Sequence, residues 1–308
     1  MTTELQVLHE TTVGPEEIDH LGHMNVRFYA EKAVRATRAL VGQMGLTPEW
    51  CAGEGSVLEL RGSFTRHYRE QMKGARLVVQ GGVLDVRADG LRLYHELLNP
   101  ERGERAATFV HDMGLCDERT RALRPIPEMV ADRAAKQRVE WPEHGRPRTV
   151  DLSREPRGLS LEEARTRGIA MREVRELRED ECTDAGFFPA VRYGELVWGG
   201  VPLPDRSGFM PLQPLEGGGQ FGWAILESRG ILRRLPCAGT RIQSFGTEVQ
   251  VGRKTSYRHS WVFDVDSGDV LCMSSTVDIA FDTGARRAIE IPAAARKRLE
   301  SQCHPDLL

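Results

Sequence analysis

The chain has 308 residues, 42 lysines and arginines against 45 aspartates and glutamates, a net charge of −3 and 40% hydrophobic residues. Such a chain can build a sizeable core, and its charge balance excludes a general attraction to nucleic acid or to an anionic membrane surface. Cys51, Cys116, Cys182, Cys237, Cys272 and Cys303 form no close pairs or Cys-x-x-Cys spacing, and neither a signal-like opening nor an apolar run of roughly 18 residues occurs, so a soluble protein of a reducing, cytoplasmic compartment is expected.

In chain order, the residues from Leu5 to Val13 read as a short strand closed by Gly14-Pro15. The stretch Glu17 to Tyr29 then runs through a glycine turn into a helix. The helix is predicted from Tyr29, Ala33, Ala36, Leu40 and Met44, which fall on one face, with Gly42 and Gly45 to close it. Asp19 thus lies on a strand-to-helix loop, beside a helix N-terminus whose unpaired N–H groups hold negative charge. A carboxylate next to an anion hole is a design for acyl transfer. Asn25 serves equally as a helix N-cap. Asp19, His20 and His23 are also metal-ligand types, but no second cluster completes a zinc set, so no metal is expected. Gly-x-Ser-x-Gly is absent, and no Gly-Lys-Ser/Thr follows Gly217-Gly218-Gly219.

The pattern Asp19-x-x-Gly22-His23-x-Asn25, followed by Tyr29 in the helix, resembles the hotdog-fold thioesterases, in particular the acyl-CoA and acyl-carrier-protein thioesterases with a Gly-His-x-Asn signature. The resemblance implies an α+β fold, a long helix wrapped by a curved antiparallel sheet, with two such units pairing to make the site. It implies hydrolysis of an acyl thioester without a cofactor. Asp19 is then the general base or the nucleophile, His23 orients Asp19 or water or holds a proton for the leaving thiolate, and Asn25 adds a donor. Amides near Asn25 to Arg27 would receive the carbonyl oxygen, and Gly22, Met24, Val26 and Arg27 are the expected substrate contacts. Val26 departs from the family, many members of which carry a second asparagine there. A hotdog hydratase or dehydratase and a non-catalytic acyl-thioester binder are the rival readings.

Four β-rich runs follow, Ser56 to Tyr68, Ala75 to Val86, Leu91 to Leu98 and Arg105 to Leu115. The length is about twice what one such unit needs. Gly186 and Tyr193 repeat Gly22 and Tyr29, Gly239-Thr240-Arg241 repeats Gly74-Ala75-Arg76, Gly268 repeats Gly103, and Ile291-Pro292 repeats Ile126-Pro127. Arg229-Gly230 is aligned with Arg61-Gly62, and His259 with His95, the latter as a shared structural position. The expected organisation is a first hotdog domain over 1–117, a linker over 118–168 with a short helix capped by Ser160, and a second hotdog domain over 169–308, the two forming an intrachain pseudo-dimer. In the second copy Thr183, Phe187 and Pro189 stand opposite Asp19, His23 and Asn25, so its site is read as vestigial, with Asp184 one residue out of place. A Pro- and Gly-rich stretch, Gly199 to Gly219, is read as an insertion. Acyl-CoA or an acyl-carrier protein is the expected partner, and a further homo-oligomer of the double unit stays open.

Overall fold

Strand β1 (Gln6–Thr12) and helix α1 (Val26–Gln43) follow one another as predicted, in a computed structural model that describes residues 3–19, 21–197, 212–216 and 218–308. The chain divides into two compact units, Met1–Arg146 and Pro147–Leu308. In the first, α1 is followed by α2 (Pro48–Gly53), the four long strands β2 (Ser56–His67), β3 (Arg76–Arg87), β4 (Gly90–Asn99) and β5 (Glu104–Asp117), and α3 (Glu128–Ala135). The strands are antiparallel in the order β1-β3-β4-β5-β2.

Helix α1 buries Tyr29, Ala33, Ala36 and Leu40, four of the positions that define its apolar face, together with Lys32, Thr37 and Val41. That face packs on Leu77, Val79, Leu97, Ala107 and Phe109 of the sheet. Each fully buried Leu or Phe side chain contributes about 1.5–3 kcal/mol. Two polar exceptions are satisfied locally. Lys32 Nζ donates to both oxygens of Glu17, at 2.6 and 2.8 Å. Thr37 Oγ1 lies 2.9 Å from His95 Nε2 and 2.9 Å from His111 Nδ1. Gly81 faces this cluster, and a Cβ there would sit 2.4 Å from His95 Nδ1.

In the second unit α4 (Leu161–Thr166) is capped by Ser160, whose Oγ accepts from Glu163 N at 3.0 Å. The short strands β6 (Ala170–Met171) and β7 (Arg175–Glu176), helix α5 (Tyr193–Val197) and strand β8 (Gln213–Pro214) precede the long strands β9 (Gln220–Leu232), β10 (Arg241–Val251), β11 (Thr255–Asp264) and β12 (Val270–Asp282). The small strand β13 (Arg287–Ala288) and helix α6 (Ala293–Ser301) follow. The long strands order as β9-β12-β11-β10, with β6 and β7 on β10. The segment read as a linker is apportioned between the units. Val130 and Ala134 of α3 are buried in the first, and Val150, Leu159, Leu161 and Ala164 in the second.

Hydrogen-bond register makes the repeat exact at backbone level and corrects two alignments. Gly81 pairs with His95, and Gly246 with Ser260; His95 pairs with Phe109, and Ser260 with Ser274; Ser63 pairs with His111, and Ser228 with Thr276. Every second-unit partner stands 165 residues beyond its counterpart. Bulges recur in step, at Val83/Asp85 and Glu248/Gln250. His95 therefore corresponds to Ser260. His259, one residue off, lies on the opposite face of its sheet and meets Ser275 at 3.0 Å. Arg61 corresponds to Leu226, so its match to Arg229 was a coincidence of residue type. The Gly199–Gly219 stretch is a replacement and not an insertion, because the loops align at 164 and the strands at 165, leaving one extra residue. Residues 199–211 and 217 of that stretch lie outside the described residues.

Candidate active site

The site is assembled by a loop that folds for reasons separate from its chemistry. A one-turn 3₁₀ helix, Pro15–Glu17, is closed by Glu17 Oε2, which accepts from Gly14 N at 3.1 Å. A tight turn follows, with Gly22 N donating to Asp19 O at 3.0 Å and Asp19 N to His23 O at 3.0 Å. Gly22 has φ +82°, and a Cβ there would meet nothing within 4 Å, so glycine is required by the backbone and not by crowding. Met24 is 1% exposed, and its N–H donates to Gln71 O at 2.7 Å. Asn25 then opens α1 as its N-cap, Oδ1 accepting from Arg27 N at 3.0 Å.

Asp19 is held but not covered. Its Oδ1 accepts from Leu21 N at 2.9 Å and its Oδ2 from Asn25 Nδ2 at 3.4 Å, and its side chain is 14% exposed. Asn25 thus caps the helix with its oxygen, as anticipated, and turns its amide toward the Asp19 carboxylate. His23 lies between two acids, Nδ1 3.7 Å from Asp19 Oδ2 and Nε2 3.3 Å from Glu70 Oε1. The same Nδ1 is 3.2 Å from Met24 O.

Of the amides Asn25 to Arg27, two are already engaged: Asn25 N donates to Glu17 O at 2.9 Å and Arg27 N to Asn25 Oδ1. Val26 N finds no acceptor among the described residues, so of these three amides the first helical one is left open. Two of the expected substrate contacts have backbone amides that are already engaged. Met24 is taken up in the core, side chain and amide alike, and the Arg27 amide is consumed by the cap while its guanidinium pairs with Glu31 at 2.6 Å. Gly22 shapes the turn.

Glu70 carries no local sequence signal, lying 47 residues from His23 just past the end of β2. What places it is Tyr29, 3% exposed, whose hydroxyl donates to Arg69 O at 3.1 Å and accepts from Gln71 N at 3.0 Å. Burial, reinforced by Glu70, Asp19 and Glu104, pushes the Tyr29 phenol well above its usual range, so it stays a neutral strut. Among the described residues no three His, Cys, Asp or Glu side chains are grouped to hold a metal. His20, the third member of the metal reading, lies outside the described residues.

The second unit repeats the scaffold without these groups. Glu181 closes a 3₁₀ turn by accepting from Arg178 N at 3.0 Å, Gly186 has φ +79°, Gly186 N donates to Thr183 O at 2.7 Å and Thr183 N to Phe187 O at 2.9 Å. Phe188, 1% exposed, takes the place of Met24. Thr183, Phe187 and Pro189 replace Asp19, His23 and Asn25, and Asp184 is exposed, with no hydrogen bond among the described residues.

Residues 13–134 match the family model of the thioesterase-like superfamily. A curated relative, the L-carnitine dehydrogenase/betainyl-CoA thioesterase of Agrobacterium fabrum, is 36% identical over 104 residues, 34% of this chain and 21% of the relative. The chain therefore spans about a fifth of the length of that relative. Among solved structures, the 12:0-ACP thioesterase from Umbellularia californica superposes with a TM-score of 0.67 at 12% identity, covering 90% of this chain and 94% of that one. An acyl-ACP thioesterase from Bacteroides thetaiotaomicron gives 0.65 at 11%, covering 89% and 97%. These likenesses and the element order of both units bear out the α+β hotdog class and the doubling of the unit.

Proposed function

We propose, from a first unit that matches the thioesterase-like superfamily, that the chain hydrolyses acyl-coenzyme A thioesters to the free acid and thiol, working at the Asp19 loop. The observation that carries this is the Asp19 carboxylate, anchored by Leu21 N and Asn25 Nδ2, beside a helix start whose Val26 amide has no acceptor among the described residues. The curated relative, whose name includes a CoA thioesterase, supports coenzyme A over a carrier protein as the thiol.

Asp19 either takes a proton from water, which attacks the carbonyl carbon, or attacks that carbon itself to give a mixed anhydride that water then opens. In both routes Val26 N–H, at the positive end of α1, stabilises the oxyanion, a contact worth on the order of 3 kcal/mol. As the C–S bond breaks, His23 supplies the proton to the leaving sulfur, and Glu70 orients the imidazole. The six free cysteines agree with a reducing, cytoplasmic compartment.

The test is thiol release from a panel of acyl-CoAs, with single-turnover hydrolysis in ¹⁸O-water. Label in the Asp19 carboxylate marks the anhydride route, opened at the Asp19 carbonyl, and trapping of an acyl-Asp19 adduct with hydroxylamine marks it when the anhydride opens at the acyl carbon. Absence of thiol release from every acyl-CoA and acyl-carrier conjugate would overturn the reading.

A further inference from the structure

Lys32 lies on the buried face of α1, 4% exposed, with its ammonium on both oxygens of Glu17. A lysine goes this far under only when it is paired. Even then a buried ion pair adds little stability over apolar side chains of similar size, because the desolvation of two charges offsets their attraction.

The second unit supplies that apolar alternative. It keeps the closing glutamate, Glu181, whose Oε2 accepts from Arg178 N at 3.0 Å as Glu17 Oε2 accepts from Gly14 N at 3.1 Å. At the position of Lys32, counted at the loop offset, stands the buried Leu196, and Glu181 is met from outside the helix by Arg175 at 2.9 Å. A closing glutamate in this turn therefore does not call for a lysine beneath it, and the helix face accepts a leucine there.

What the first unit adds is a path to the site. Glu17 O accepts from Asn25 N at 2.9 Å, and Asn25 in turn places Oδ1 on Arg27 N at 3.0 Å and Nδ2 on Asp19 Oδ2 at 3.4 Å. The second unit has no such path: Pro189 replaces Asn25 and lacks an N–H, and Glu181 O is met instead by Arg192 Nη1 at 3.4 Å. Lys32 follows Asn25 by seven residues, about two turns along the same side of α1. The 3₁₀ turn is thus tied to the helix twice, at its start by Asn25 and in its body by Lys32. Of these contacts the one to Asp19 is the longest, so a small swing of the turn loses it first.

We infer that Lys32 is a positioning residue for the Asp19 carboxylate, acting through Glu17 and Asn25. That role rests on the reading of the Asp19 loop as the site of thioester hydrolysis. A buried pair kept for geometry, where a leucine serves the fold, shows in turnover more than in unfolding.

The experiment compares the full chain with Lys32→Leu, which installs the second unit's residue, and with the double change Lys32→Leu and Glu17→Gln. The single change strands a carboxylate that is 13% exposed and can cost folding. The double change removes both charges, and the glutamine oxygen still accepts from Gly14 N. Expected of the double variant is a melting temperature close to the parent's, with kcat lowered by about 10- to 100-fold and KM within about twofold, since a displaced carboxylate weakens the transition state without loosening the bound thioester. The Asn25 amide, followed by hydrogen exchange without substrate, should exchange about tenfold faster. A parent that turns over beside a double variant of unchanged kcat would overturn the role. So would a double variant that melts well below the parent, with kcat falling only in proportion to the folded fraction. A parent silent toward every thioester ends the reading of the loop instead; exchange then decides the role of Lys32, and an Asn25 amide as protected in the variant as in the parent overturns it.

Discussion

The loop from Glu17 to Asn25 and the loop from Glu181 to Pro189 carry the same turn hydrogen bonds, the same closing glutamate and a glycine near φ +80°. Yet Asp19, His23 and Asn25 give way to Thr183, Phe187 and Pro189. The second loop is an internal control for the first. It shows that this backbone folds without the carboxylate, the imidazole or the amide, so none of the three is there because the turn needs it. What the turn needs is glycine at 22 and 186 and a buried apolar residue at 24 and 188.

The harshest way to break this comparison is to remove charge from each loop in turn. Asp19→Asn should lower kcat by about 10² to 10⁴-fold, while Asp184→Asn leaves it within error. Equal losses would mean that the two loops are not unequal at all.

Acid sharpens the contrast in the cores. Burial lowers the pKa of His111 to about 4 and takes His95 well below its usual value, and the two share Thr37 in the first unit. The second unit has His259, lowered to about 4. A base whose folded pKa is depressed costs nothing above the unfolded value of 6.5, and its penalty grows as pH falls from 6.5 toward 4. His111 and His259 each remove up to about 3 kcal/mol, and His95 adds a further penalty to the first unit alone, so amide exchange should show the first unit opening at higher pH than the second. His111→Gln should narrow the gap; simultaneous opening of both units with every histidine in place would contradict it.

Next in size is the glycine pair. Gly22→Ala and Gly186→Ala each force a side chain into the left-handed region and should each cost about 1–2 kcal/mol in denaturant unfolding. Only the first should also reduce turnover. The smallest effect separates the two jobs of Asn25. Asn25→Ala should lose about 1 kcal/mol of cap as well as activity, whereas Asn25→Asp keeps the capping oxygen and should lose activity with stability nearly unchanged.

Much of this architecture is legible in the chain, because α1 and the four strands of each unit follow strong hydrophobic periodicity with glycine punctuation. The Asp19 loop is legible because its residues are contiguous. Glu70 is not, since it meets His23 only through the tertiary strut of Tyr29. Which amide stays open at the helix start is likewise hidden, for it depends on Glu17 and Asn25 claiming the others. The alignment of His95 with His259 failed for a simple reason: a side chain changes faces with every residue of a strand, so a slip of one, invisible in a loop, inverts the environment.

The matching bulges at Val83/Asp85 and Glu248/Gln250 carry a practical corollary. Since the hairpin 76–99 and the hairpin 241–264 agree in length and irregularity, either can be transplanted into the other's place without cutting or padding the chain. A chimera of that kind would isolate the contribution of side-chain identity from that of backbone geometry.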